Sequence, residues 1–170
     1  MFKRMLNKLR DMATIKSLCE EAERQARLLG EDLPGAEHYL LSALELQDGS
    51  ARRAFERVGA DPAAVRGAIA AQHSQALAGI GIALPPDAVP DRAPLPPKGK
   101  LFSAKPSGQA VMQALHGLRQ KHQSPRLLGA HVLLAIAAMS NSTAARALKS
   151  MQINLAALAA AAETEVRGAA

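Results

Sequence analysis

PGAEHYLLSALELQDGSARRAFERVGAD, residues Pro34–Asp61, is written twice in this chain. Its echo is LLGAHVLLAIAAMSNSTAARALKSMQIN, Leu127–Asn154, at a constant offset (His38 to His131, 131 − 38 = 93 residues). At that offset His38, Leu40, Leu41, Ala51, Arg53 and Ala54 recur as His131, Leu133, Leu134, Ala144, Arg146 and Ala147. Phe55, Val58 and Val65 become Leu148, Met151 and Leu158, so apolar positions stay apolar. An ungapped repeat of one apolar pattern means one supersecondary unit used twice, each copy covering the other's hydrophobic face.

Outward from the repeat, the elements follow from local signals. Ala36 to Gln47 reads as a helix burying Tyr39, Leu40, Ala43 and Leu44, broken by Asp48–Gly49–Ser50. Ser50 caps a short helix through Val58, which Gly59 ends, and Asp61–Pro62 opens another to about Leu77. Upstream, Ile15, Leu18, Ala22, Ala26 and Leu29 form the inward stripe of a helix over Ala13–Leu29, with Gly30 as its C-cap. The second copy repeats the order: Ser107–Lys121 with Val111, Ala114, Leu115 and Leu118 inward, Ala130–Met139, a helix after Asn141–Ser142 to Met151, and one from Asn154 to Val166. Between the copies, Pro85, Pro86, Pro90, Pro94, Pro96 and Pro97 exclude regular helix and spell an extended linker, to which Leu95, Leu101 and Phe102 add possible pins.

The organisation expected is therefore an amphipathic segment over 1–12, a first repeat over 13–77, a Pro-rich linker over 78–105 and a second repeat over 106–168. Residues 13–168 together are expected to form one compact domain. The fold class is all-α, two pseudo-symmetric four-helix repeats. Composition agrees: aromatic residues are 2% of the chain, Trp is absent, and no alternating β-branched run suggests a strand. The first twelve residues, MFKRMLNKLRDM, put Phe2, Met5, Leu6, Leu9 and Met12 on one face with basic residues away from it. The bland reading is a first helix packing on the body or a frayed extension of it; a docking element for a partner ranks next, and membrane contact last.

Nothing in the sequence assembles a catalytic site. Cys19, the single cysteine, excludes an internal disulfide and has no motif supplying a base, so it reads as structural. His38 and His131 each sit one turn into an apolar helix, and their recurrence points to one structural job done twice, a hydrogen bond at a helix junction. His116 and His122 fall on different faces, and His73 sits at a helix end beside the linker. No nucleophile–base order, metal-ligand spacing or phosphate loop is present. The chain is expected not to be an enzyme and to need no cofactor or metal. A cytoplasmic location is expected, since the start lacks a signal-peptide apolar region and no apolar run reaches membrane-span length. The net charge of +6 permits an acidic partner without demanding nucleic acid.

Both copies resemble a known module. Ala36, Glu37, His38, Leu40, Leu41, Ala43 and Leu44, with Phe55, Gly59, Ala60 and Asp61, look like the paired signature of the Clp N-terminal domain, which precedes the ATPase rings of the Clp unfoldases. Gly129, His131, Leu133 and Leu134 match the second signature less fully, and Leu101–Phe102–Ser103 resembles its apolar lead-in. The resemblance implies a recognition module without its motor. In some relatives the acidic position helps to recognise phosphorylated arginine; it is Glu37 here but Ala130 in the second copy, so no two-site version is implied.

Expected partners are proteins, unfolded or tagged substrates and a Clp ATPase, with no nucleic acid, no membrane and a monomeric state. Phe2, Glu37 and Phe102 are the candidate partner contacts, lying on one side of the molecule; His38, His131, Leu40, Leu41, Leu133 and Leu134 are structural. Phe2 and Phe102 are equally readable as staples holding terminus and linker to the body. The competing class is a basic helical protein for nucleic acid or an anionic surface, motivated by an isoelectric point of about 9.9. Against nucleic acid stands the lack of aromatic stacking platforms.

Overall fold

The computed structural model describes residues 2–82 and 102–169, with side chains from Met5 onward. Among these residues there are eight α-helices and no strand: α1 Phe2–Leu28, α2 Ala36–Glu45, α3 Ser50–Arg57, α4 Val65–Gly79, α5 Pro106–Lys121, α6 Gly129–Ala137, α7 Thr143–Ser150 and α8 Leu155–Gly168. The all-α expectation holds. The linker segment 83–101, with Leu95, Leu101 and the prolines from Pro85 to Pro97, lies outside the described residues.

The helix expected to begin at Ala13 begins at Phe2, α1 running unbroken for 27 residues through Met12–Ala13. No Gly or Pro interrupts that stretch, and Leu, Lys, Arg, Met and Ala are strong helix formers. Helix α1 ends where expected. Gly30 takes φ 69, and the Glu31 amide reaches back to the Ala26 carbonyl at 2.9 Å, the closure that a left-handed residue permits. Gly59, φ 68, ends α3 in the same way, Ala60 N donating to Phe55 O at 3.0 Å. Two glutamines do likewise: Gln123 (φ 50) lets Ser124 N donate to Arg119 O at 3.1 Å, and Gln152 (φ 62) lets Ile153 N donate to Leu148 O at 3.0 Å. Helix starts also follow the expected residues. The Asp61 carboxylate accepts from Ala63 N before a 3₁₀ turn over Pro62–Ala64, Ser142 accepts from Ala145 N, and Asn154 accepts from Ala156 N and Ala157 N.

The core is aliphatic, with one Tyr and one Phe. Leu18, Tyr39, Leu40, Phe55, Leu133, Ile136, Leu148 and Leu158 are fully buried. α2 and α6 run through the middle: α2 packs against α1, α5 and α6, and α6 against α5, α3 and α8. Short α3 leans on α8 and short α7 on α4. Two glycines set close crossings. A Cβ on Gly108 would lie 2.6 Å from the Pro34 carbonyl, and one on Gly129 would lie 2.9 Å from the Ala43 carbonyl. The first lets α5 cross the start of α2; the second lets α6 begin against its end. Ile15 departs from the inward stripe expected of it and is 37% exposed, since α1 is about 40 Å long against about 15 Å for α2, too short to cover its N-terminal half.

Candidate functional site

The two histidines are built from the same parts. Gly35 precedes α2 in extended backbone, and its N–H donates to His38 Nδ1 at 2.9 Å, while His38 N donates to Gly35 O at 3.0 Å. Before α6, Leu128 N–H donates to His131 Nδ1 at 3.0 Å and His131 N to Leu128 O at 3.0 Å. Each imidazole takes the place of the Glu or Gln of a capping box, satisfying an N-cap donor from the third helical position. Because Nδ1 accepts, the proton of the neutral ring lies on Nε2, and in both rings that atom is buried without a hydrogen-bond partner. Burial lowers the pKa of both, His131 to about 4; for His38 the charges of Glu37 and Glu31 oppose burial without overcoming it. Glu37 Oε1 lies 3.5 Å from His38 Nδ1, yet a neutral ring accepting a backbone N–H makes no ion pair there. Leu40 and Leu133 are fully buried, and Leu41 and Leu134 nearly so.

Glu37 does not stand at a surface, as expected of a partner contact; it is 2% exposed. Its carboxylate lies 3.3 Å from Lys105 Nζ, whose ammonium also bonds Glu31. His73 Nδ1 lies 3.1 Å from the other Glu31 oxygen. Burial alone would lower the Lys105 pKa, but the hydrogen bond to Glu31 and the two negative charges raise it, so the ammonium is fixed. Glu31, Glu37 and His38 bring one ligand atom each within 4.8 Å of one another, the geometry of a cation site. The occupants are already chosen: Lys105 neutralises the carboxylates and the Gly35 amide fills His38 Nδ1, so a divalent ion does not fit without displacing both.

Phe102 is 43% exposed, three residues ahead of Lys105. Phe2 opens α1, and its side chain lies outside the described residues. Lys105 holds Glu37 at the start of α5, whereas the first part of α1 is tied near the other end of that helix. There Asp11 Oδ1 accepts from Leu127 N at 2.7 Å and Oδ2 lies 3.0 Å from Arg119 Nε. From Lys105 to Arg119 is about 21 Å along α5.

Cys19, half-buried, sits 3.7 Å from the Tyr39 hydroxyl, and burial first, then the charges of Glu23 and Glu20, raise its pKa despite that hydrogen bond. It is a packed thiol, not a nucleophile. Two further surfaces stand out. One is an open cleft of about 640 Å³ between α1, the end of α2 and the Arg126–Leu128 segment, lined by Arg10, Arg24 and Arg126 together with Glu20, Glu45 and Asp48. Its mixed charge suits an extended polar peptide more than an apolar ligand. The other is the outer face of α1, where Met5, Leu9 and Met12 are each more than half exposed.

No model of a known protein family matches the chain, and no curated protein matches it as a relative.

Proposed function

We propose that this chain is a non-catalytic protein-binding module of the Clp N-terminal type, two four-helix copies closed into one body, serving as adaptor, decoy or substrate-recognition factor in Clp-dependent proteolysis. The observation that carries this reading is the recurrence of backbone events at one offset. Left-handed closures fall at Gly30 and Gln123 and at Gly59 and Gln152, histidine caps at His38 and His131, and N-caps at Asp61 and Asn154. All four pairs are 93 residues apart. Packing has the same exchange, since the third helix of each copy leans on the fourth helix of the other, α3 on α8 and α7 on α4. Two copies that swap partners this way support one another and have little reason to fold alone.

The test is capture from a lysate on the immobilised chain, with mass spectrometry of what is retained. A Clp ATPase or its degradation substrates should be enriched, and Phe102→Ala should reduce their recovery while leaving thermal unfolding in place. Recovery of neither class overturns the proposal.

A further inference from the structure

The first part of α1 is turned the wrong way for a core helix. At 3.6 residues per turn, Met5, Leu6, Leu9 and Met12 share one face whose centre lies roughly a third of a turn from that of Leu18, Ala22 and Ala26. The latter are buried against α2; the former are 57%, 37%, 55% and 59% exposed. The side towards the body is instead polar. Asp11 is fastened to the Leu127 amide and to Arg119, and Asn7 and Thr14 beside it are half-buried. Those contacts fix the rotation of the helix, so the apolar face cannot roll inward without breaking them.

We infer that this face is a docking surface for an anionic phospholipid bilayer, on which the helix lies in the plane of the headgroups. Charge selects the occupant. Between Lys3 and Lys16 the sequence carries five basic residues against Asp11 alone, and that acid is neutralised by Arg119. Lys8 and Arg10, both exposed, lie on the two edges of the apolar face, where their stems run along an acyl boundary and their charges reach headgroups on either side. A second copy of the chain would bring the same cations together, which disfavours self-pairing. No described helix is long and apolar enough to cross a membrane, so the contact is interfacial. This inference departs from the sequence-based expectation of no membrane partner.

The experiment is flotation of the purified full chain with vesicles of phosphatidylglycerol and phosphatidylcholine in equal parts, against phosphatidylcholine alone, at low and at 0.5 M salt (about a 4 Å screening length). The wild type should partition at least tenfold better onto the anionic vesicles, and high salt should weaken it. Met5→Ser/Leu9→Ser/Met12→Ser should lose that binding tenfold or more with its circular dichroism and Tm unchanged, because those side chains touch little of the body. Lys8→Glu/Arg10→Glu should lose the preference for anionic lipid. Four outcomes overturn the inference: no wild-type binding, equal binding to both vesicles, a serine variant that floats like the wild type, or soluble polyglutamate abolishing flotation at stoichiometric charge. A monomer–dimer equilibrium lost in the serine variant, without vesicle binding, would assign the face to a second copy instead.

Discussion

Lowering the pH from 7.5 to 5.0 should weaken this fold through His131 in particular. Its imidazole is fully buried, accepts the Leu128 N–H and leaves Nε2 without a partner, so protonation would both break a cap and bury a charge. Its pKa falls to about 4 from the ordinary 6.5, with burial as the leading cause. The unfolded chain therefore binds more protons between those values, and stability rises with pH across that window and is complete above it. At pH 5.0 the unfolded residue is largely protonated and the folded one is not, a difference of about 1.5 pH units or about 2 kcal/mol. For a chain of this length that is roughly 4–8 °C in Tm. His38, lowered for the same reason, adds in the same direction. Glu21 and Glu165, whose pKa values are lowered below 4.5, add their effect only at more acid pH. The assay is urea unfolding followed by circular dichroism at both pH values, for the wild type and for His131→Asn. The Asn oxygen lies as many bonds from Cα as Nδ1 does and can still accept the Leu128 N–H, but it does not titrate. The variant should lose about 2 kcal/mol less on acidification. An unchanged pH dependence, or a wild-type His131 titrating near 6.5 by NMR, would refute the assignment.

Gln152→Gly should stabilise by about 1 kcal/mol, because Gln152 sits at φ 62 where glycine carries no Cβ penalty; a loss of stability in urea unfolding would contradict it. Gly108→Ala should destabilise by about 2 kcal/mol, since its methyl would meet a backbone carbonyl at 2.6 Å, and an unshifted midpoint would mean that α5 moves away freely. Lys105→Met should destabilise by about 2 kcal/mol by leaving Glu37 buried without its cation, and full retention of stability would show that water already reaches that carboxylate. Titration with ATP in a calorimeter should give no binding heat, as the sequence contains no phosphate loop; a one-to-one isotherm would defeat the proposed function.

Helices, their stops and most of their caps were legible in the residues alone. Each depends on partners within five positions: Asp61 on Ala63, Asn154 on Ala156 and Ala157, Gly30 between Ala26 and Glu31. The matched hydrogen bonds of His38 and His131 were legible too, from their recurrence in the sequence. Gln123 and Gln152 carried no such signal, since nothing in a glutamine announces a left-handed backbone. Burial and exposure were settled only by assembly. Glu37 looked like a surface acid because the lysine that neutralises it is 68 residues away. Ser50 Oγ, expected to cap its own helix α3, accepts the Ala130 amide 80 residues on, and the neighbouring Asp48 carboxylate takes Gly129 N, so the first half caps α6. Glu165 is nearly buried and still ionised because Arg53 and Arg57, one turn apart on α3, meet it at 2.6 and 2.7 Å. The face of Met5, Leu9 and Met12 carries an ordinary core pattern, and it stays in water because α2 ends too soon and Asp11 turns the helix by its grip on Leu127 and Arg119. A helix's apolar periodicity states which side chains lie together; only the neighbours that packing supplies determine whether that side is covered.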